Sequence, residues 1–172
     1  HMQNHLVMNY VRYFAGVNYG YVAYSASNEH TYNVAAGLHY LNYGEFQRAD
    51  VKGNRTGMFH AAEYALNLTV SFPLDSGFMV GVNVKPVYSQ LHEYQSLGVA
   101  TDIGLVYTDS TGLFSAGLVL ENIGSQIIPY MTREYEPLPF EIQLGASLKL
   151  KYAPFRFIVV AEHLDEFGLS YQ

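Results

Sequence analysis

The sequence predicts an all-β chain: an antiparallel transmembrane β-barrel, or a segment of one. Three observations predict it. Apolar residues recur with period two along most of the 172 residues, which is the alternation of a pleated strand. The face opposite the large side chains is made of Gly, Ala, Ser, Thr and Asn with isolated charges, where a water-facing strand would carry Lys and Glu. The connections also sort by end: alternate ones are short and the others long, the asymmetry of a barrel that crosses a membrane with its strands.

Nine strands are expected, near 5–11, 17–25, 31–43, 58–72, 77–88, 96–107, 113–121, 140–152 and 155–163. The first two flank a turn near Ala15–Gly16. In the third, Tyr32, Val34, Ala36, Leu38 and Tyr40 oppose Thr31, Asn33, Ala35, Gly37 and His39. In the fourth, Ala62, Tyr64, Leu66, Leu68, Val70 and Phe72 oppose Glu63, Ala65, Asn67, Thr69 and Ser71. In the fifth, Phe78, Val80, Val82 and Val84 oppose Gly81, Asn83 and Lys85. The sixth sets Leu97, Val99, Ile103, Leu105 and Tyr107 against glycines and Asp102, and the seventh lines up Phe114, Ala116, Leu118 and Leu120. The eighth is the clearest, with Phe140, Ile142, Leu144, Ala146, Leu148, Leu150 and Tyr152 against Glu141, Gln143, Gly145, Ser147, Lys149 and Lys151. The ninth, 155–163, follows the short "AP" turn. A short helix has its best place between Asn122 and Pro139, a stretch too rich in proline for a long one.

"SASNEH", "PLDSG", "TDSTG" and "AP" fall at one end of the sheet, and all have hairpin chemistry. "YGEFQRADVKGNRTG", "SQLHEYQ" and "NIGSQIIPYMTREYEPLP" fall at the other, as longer loops. Alternation alone would equally fit a soluble, half-buried sheet. The small second face, the sorted turns and the placement of tyrosines separate the two. Tyr32, Tyr40, Tyr64, Tyr107 and Tyr152 lie on the large face near strand ends, where an aromatic girdle meets lipid headgroups.

Composition narrows the function classes. There are 16 Tyr, 10 Phe and 15 Gly but no Trp and no Cys, so disulfides and thiolate metal sites are excluded. The formal charge is −6 with 9 Lys+Arg, which argues against nucleic acid as a partner. No apolar run reaches the ~18 residues of a membrane-spanning helix. The opening His1–Met2 reads as a cloning remnant, and the chain as one domain or barrel segment over 1–172 cut from a longer sequence.

Chemistry is sparse. There is no G-x-S-x-G elbow and no Ser–His–Asp grouping, so no catalytic residue is assigned. Of the 7 His only His1 and His5 have His-x-x-x-His spacing, and His1 belongs to the cloning remnant, so no metal site is assigned. His39 is expected on the small face, and His60 and His92 near strand ends. No phosphate loop leads into a helix, so no cofactor is expected. The sequons "NRT" and "NLT" carry little weight, the second falling inside a strand.

What remains are lumen-facing charges: Glu63, Lys85, Asp102, Glu121 and Lys149. A poorly solvated charge needs a partner. The expected pairs are Asp102 with Lys85, Glu63 with Lys85, and Glu121 with Lys149. In an open lumen these charges would tune ion passage. The long loop carries Ile127, Ile128, Tyr130, Met131, Arg133 and Tyr135. That mix of aromatic, Met and Arg residues fits either contact with a partner protein or a plug folded into the barrel mouth.

The stretch "SLGVATDIGLVYTDSTGLFSAGLVLENIG" at 96–124 resembles the Gly–Asp–Gly strand, short turn and "N-x-G" strand end of the PorV/PorQ outer-membrane proteins, which are related to the FadL barrels. "RYFAGVNYGYVAYS", "LHYLNYGEF", "AAEYALNLTVS", "PLPFEIQLGASLKLKYAPFRF" and "EHL", in that order, are similar to the PorQ branch. The resemblance implies a FadL-like barrel of the bacterial outer membrane, larger than these nine strands. It implies a non-enzymatic accessory of type IX secretion in Bacteroidetes. Such an accessory contacts outer-membrane lipid and works with PorV-, PorU- and PorZ-like proteins that attach secreted cargo to the cell surface. The chain departs from the family in length, lacking an N-terminal region and the final strands. Two other functions fit the residues: a FadL-like transporter of hydrophobic or small solutes, and a soluble β-barrel binding module of lipocalin type.

Overall fold

A computed structural model describes residues 4–28, 32–49, 54–92, 94–131 and 135–166. They form one antiparallel sheet of nine strands in sequence order. The strands are β1 (Asn4–Arg12), β2 (Asn18–Asn28), β3 (Tyr32–Ala49), β4 (Arg55–Pro73), β5 (Phe78–Leu91), β6 (Tyr94–Thr108), β7 (Phe114–Ile128), β8 (Glu141–Lys149) and β9 (Arg156–Ala161). The expected all-β antiparallel class is the observed one. Among the described residues β1 and β9 remain the edges of an open sheet.

The strands are longer than expected at the end where loops were read. β3 and β4 run 18 and 19 residues, and their ladder continues beyond the Asn42–Ala62 pair to Ala49–Arg55. β5 and β6 pair through to Leu91–Tyr94, so "SQLHEYQ" is ladder, not a long loop. β7 continues to Ile128, and no helix occurs in the described part of 122–139. Alternation cannot mark such segments, because a strand wet on both faces has no reason to alternate. β8 ends sooner than expected, at Lys149, and leaves Tyr152 in the following turn, 91% exposed.

The two faces differ as the sequence implies, but burial is inverted relative to a soluble fold. The large side chains lie exposed: Leu68 at 47%, Leu144 at 51% and Leu148 at 47%. The most sheltered side chains are small ones on the opposite face, with Ala100 at 3% and Ser96 at 6%. Among the described residues no large side chain is fully buried. Below, the two are called the apolar face and the polar face.

The short turns carry their own chemistry. In the β6–β7 turn, Asp109 accepts from the Thr111 hydroxyl and, at 2.9 Å, from the Phe114 N–H. The chain then reverses through Gly112 at φ 66. In the β4–β5 turn, Gly77 has φ 83 and lies against the Thr108 carbonyl, which an added Cβ would meet at 2.2 Å. That contact stitches one hairpin's turn to the neighbouring strand end.

Two outcomes follow from the turns and glycines. Gly124 lies against β6, where an added Cβ would meet the Val99 carbonyl oxygen at 2.0 Å, whereas Gly104 has open space. Gly124→Ala is expected to destabilise by roughly 1–3 kcal/mol through forced backbone movement, and Gly104→Ala to change stability by under about 0.5 kcal/mol. Urea midpoints of the refolded protein measure both. Second, the Thr111 hydroxyl, followed by the Phe114 N–H, holds the Asp109 carboxyl below its ordinary range. Its contribution to stability is therefore full above the unfolded-state pKa of about 4 and is lost as pH falls through the lower folded value. Asp109→Asn removes that acid-side loss from a pH series of unfolding midpoints.

Candidate functional site

The polar face is crossed by a continuous side-chain network. Thr69 on β4 donates to Asn83 Oδ1 on β5 at 3.0 Å. Asn83 Nδ2 donates back to Asn67 Oδ1 at 3.1 Å and forward to Asp102 Oδ2 on β6 at 3.0 Å. Lys85 Nζ lies 2.7 Å from Asp102 Oδ1 and donates to Asn122 Oδ1 on β7 at 2.7 Å. The register explains these partners. Asn83 stands opposite Asp102 and Lys85 opposite Ala100, so the lysine reaches its carboxylate along the diagonal over a methyl group.

Asp102 also repairs the backbone. Thr101 pairs with Ile123 and Ile103 with Leu120, so one residue of β6 faces two of β7. This is a β-bulge, which leaves one residue outside the ladder. That residue, Asn122, sits at φ 58, a left-handed conformation that asparagine tolerates better than most. Its N–H donates to Asp102 Oδ1 at 2.9 Å. The bulge resets the parity of β7, so Glu121 before it and Gly124 and Gln126 after it share the polar face.

The loop after β7 folds back over this face. Gln126 Nε2 donates to Ser96 Oγ at 3.2 Å, and Gln126 Oε1 accepts from the Glu136 N–H at 2.8 Å. The Leu138 side chain lies over Gly98, and the Pro139 carbonyl accepts from Asn122 Nδ2 at 2.8 Å. The Tyr130 hydroxyl donates to Ser89 Oγ, and Ser89 donates to Glu63 Oε1 at 3.2 Å. Ser89, Ser96, Gly98 and Ala100, all buried, lie on β5 and β6 of the polar face, with buried Ala61 on β4. Of the loop residues singled out from the sequence, Ile127 and Ile128 belong to β7 and are exposed, Met131 and Tyr135 are exposed, and Tyr130 turns inward. Arg133 lies outside the described residues.

Two expected ion pairs are not formed. Glu63 stands opposite Ser89, four residues along β5 from Lys85, or about 13 Å at strand rise. Pro86 also interrupts the ladder there: pairing passes from Ala65–Val87 to Leu68–Val84 because proline has no N–H to give. Glu121 stands opposite Glu141, while Lys149 is at the far end of β8, beside Arg156. The Glu121–Lys149 separation is eight residues, about 26 Å. Glu141 instead takes Gln143 Nε2 at 3.0 Å and His163 Nδ1 at 3.7 Å.

The histidines are held by neighbours. His39 Nδ1 is 2.7 Å from the Tyr19 hydroxyl and its ring lies 4.3 Å from that of Tyr21. His60 is 3.7 Å from Glu45, and His92 Nε2 accepts from Arg48 at 3.3 Å. Among the described residues no three His, Asp or Glu converge as a metal site would require.

Sequence reasoning missed Asn83, Asn122, Gln126, Ser89 and Tyr43. The one available signal was asparagine and serine inside otherwise apolar strands, where a polar side chain needs a partner across the ladder. No family model matches the chain, and no curated protein matches it.

Removing Lys85 leaves the Asp102 carboxylate sheltered without its cation. Lys85→Met is expected to cost about 3 kcal/mol, and the double variant with Asp102→Asn less than the sum of the two singles, with a coupling of ~1–3 kcal/mol. A denaturant double-mutant cycle checks this. Glu121→Gln is expected to be neutral or stabilising by a few tenths of a kcal/mol, since it removes one of two like charges facing each other across the ladder.

Proposed function

We propose that this chain is a segment of an outer-membrane β-barrel of the PorQ type. It serves as a non-enzymatic scaffold for type IX secretion and surface attachment. One observation carries the membrane reading: the apolar face is exposed and bordered by two aromatic rows. Tyr40, Tyr64 and Tyr88 form one row across β3–β5, with ring centroids 5.0 and 6.3 Å apart. Phe78, Tyr107 and Phe114 form the other across β5–β7, at 4.9 and 6.5 Å. Along β5 the rows are ten residues apart, about 33 Å, which a strand tilt of roughly 40° projects to about 25 Å, the height of a barrel's apolar band. Val80, Val82, Val84 and Pro86 fill that interval on β5, and Val99, Thr101, Ile103 and Leu105 on β6, without a charge.

The scaffold reading rests on two further supports. The Asp102, Asn122 and Gly124 positions, whose resemblance to PorV/PorQ proteins was noted in the sequence, each have a defined task in joining β6 to β7. The loop tied down by Gln126, Asn122 and Tyr130 occupies the polar face, which favours a filled interior over a passage and so a scaffold over a transporter. Exposed Met131 and Tyr135 beside it give a partner protein apolar anchors.

The protein in its native membrane is expected to need detergent for extraction and to bring down PorU-, PorV- or PorZ-like partners. Met131→Ala with Tyr135→Ala is expected to reduce that capture severalfold, while reconstituted liposomes stay tight to fatty acids and small solutes. Monodisperse behaviour without detergent would sink the membrane reading. Solute flux in the liposomes would replace the scaffold by a transporter.

A further inference from the structure

A cavity of about 230 Å³ opens on the polar face beneath Tyr130. Its walls include Tyr43, Phe46, Glu63, Ser89 and Tyr130. The local fold aims these groups together. The β3–β4 ladder jumps from Asn42–Ala62 to Glu45–His60, with Gly44 at φ 82 and its N–H bonded to Asn42 Oδ1 at 2.7 Å. This bulge carries Tyr43 toward β4, where its hydroxyl hydrogen-bonds Glu63. Bulges commonly re-aim a side chain in this way.

Glu63 is the unusual member. Its carboxylate is half-buried and accepts hydroxyl protons, from Ser89 and Tyr43, with no Lys, Arg or His paired to it among the described residues. Asp102, on the same face, has Lys85 at 2.7 Å. A sheltered carboxylate satisfied only by neutral donors still lacks charge compensation. Three aromatic rings stand around the space in front of it, and aromatic faces attract cations, alkylammonium groups above all. The volume admits a small cation and little more.

We propose that this cavity is a binding site for a small alkylammonium cation, with Glu63 supplying the counter-charge and Tyr43, Phe46 and Tyr130 the walls. The site is independent of the scaffold reading, because it needs only the polar face and the loop that covers it. The Tyr130–Ser89 hydrogen bond makes the loop one wall of the site, so an occupant is held partly by the segment that closes over it.

The test is titration of the full chain, in a non-ionic detergent, with tetramethylammonium chloride, using sodium chloride of matched strength as the reference. Tyrosine emission and aromatic NMR shifts report occupancy, and the chain has no Trp to obscure them. Saturable binding specific to tetramethylammonium is expected, weakened about tenfold or more by Glu63→Gln and severalfold by Tyr130→Ala. Tyr130 lies outside the strands, so its loss spares the ladder even if the Glu63 variant folds poorly. Glu121→Gln, which changes the net charge equally on the same face, is expected to leave binding unchanged. The proposal is overturned by no saturable response up to about 50 mM, by undiminished affinity in both the Glu63 and Tyr130 variants, or by equal weakening in Glu121→Gln.

Discussion

The Asp102 carboxylate stands where the ladder between β6 and β7 loses a pair, and it supplies what the backbone lacks there. One oxygen takes the stranded N–H of Asn122 and the charge of Lys85; the other takes Asn83. Much of this end of the molecule hangs on that junction. The bulge it satisfies turns Gly124 and Gln126 toward the polar face. Gly124 lets β7 lie close on the Val99 carbonyl. Gln126 holds the following loop through Ser96 and the Glu136 backbone, and that loop places Tyr130 on Ser89. The reach of one carboxylate thus extends through the register of a strand to the position of a loop.

The apolar face poses the opposite problem. A single sheet has two faces, and a soluble fold covers the apolar one with a second layer. Here no second layer exists among the described residues, and the large side chains remain exposed. Exposed apolar surface on this scale marks an interaction surface. The uniformity of the face is the basis for proposing lipid as its solvent. It has no polar rim within the band, and aromatic rings line its two borders. The polar face then solves its own burial with amides, hydroxyls and the Asp102–Lys85 ion pair. Among the described residues no sheltered side-chain polar atom is left without a partner.

The strands and their facing were legible because period two survives wherever one face is lined by large apolar side chains and the other by small and polar ones. The Asp102–Lys85 pair was legible because both positions fall on the small face of adjacent strands. Glu63 and Glu121 were assigned the wrong partners because facing fixes only the side of the sheet. Register decides who meets whom: it sets Glu63 opposite Ser89 and Glu121 opposite Glu141, and nothing in the alternation reveals it. The extensions of β3 beyond Tyr43 and of β4 before Met58 read as loop because strands wet on both sides carry no alternation. The Tyr43–Glu63 contact was missed for a related reason: counting along β3 puts Tyr43 on the face of Glu63, but facing does not say which polar group its hydroxyl meets.

Each strand of this sheet pairs only with its neighbours in the chain. That connectivity has a consequence for assembly. Apart from the longer β7–β8 link at 129–140, strand joins to strand across short connections, so most steps close a small loop and cost little chain entropy. Hairpins can zip on one after another, with no distant segment required before the next pair forms. The Gly77–Thr108 contact links the β4–β5 turn to the end of β6, so a completed hairpin already offers a seat for the strand that follows. A chain of this kind can add strands in order, each backbone being satisfied as its strand joins the sheet.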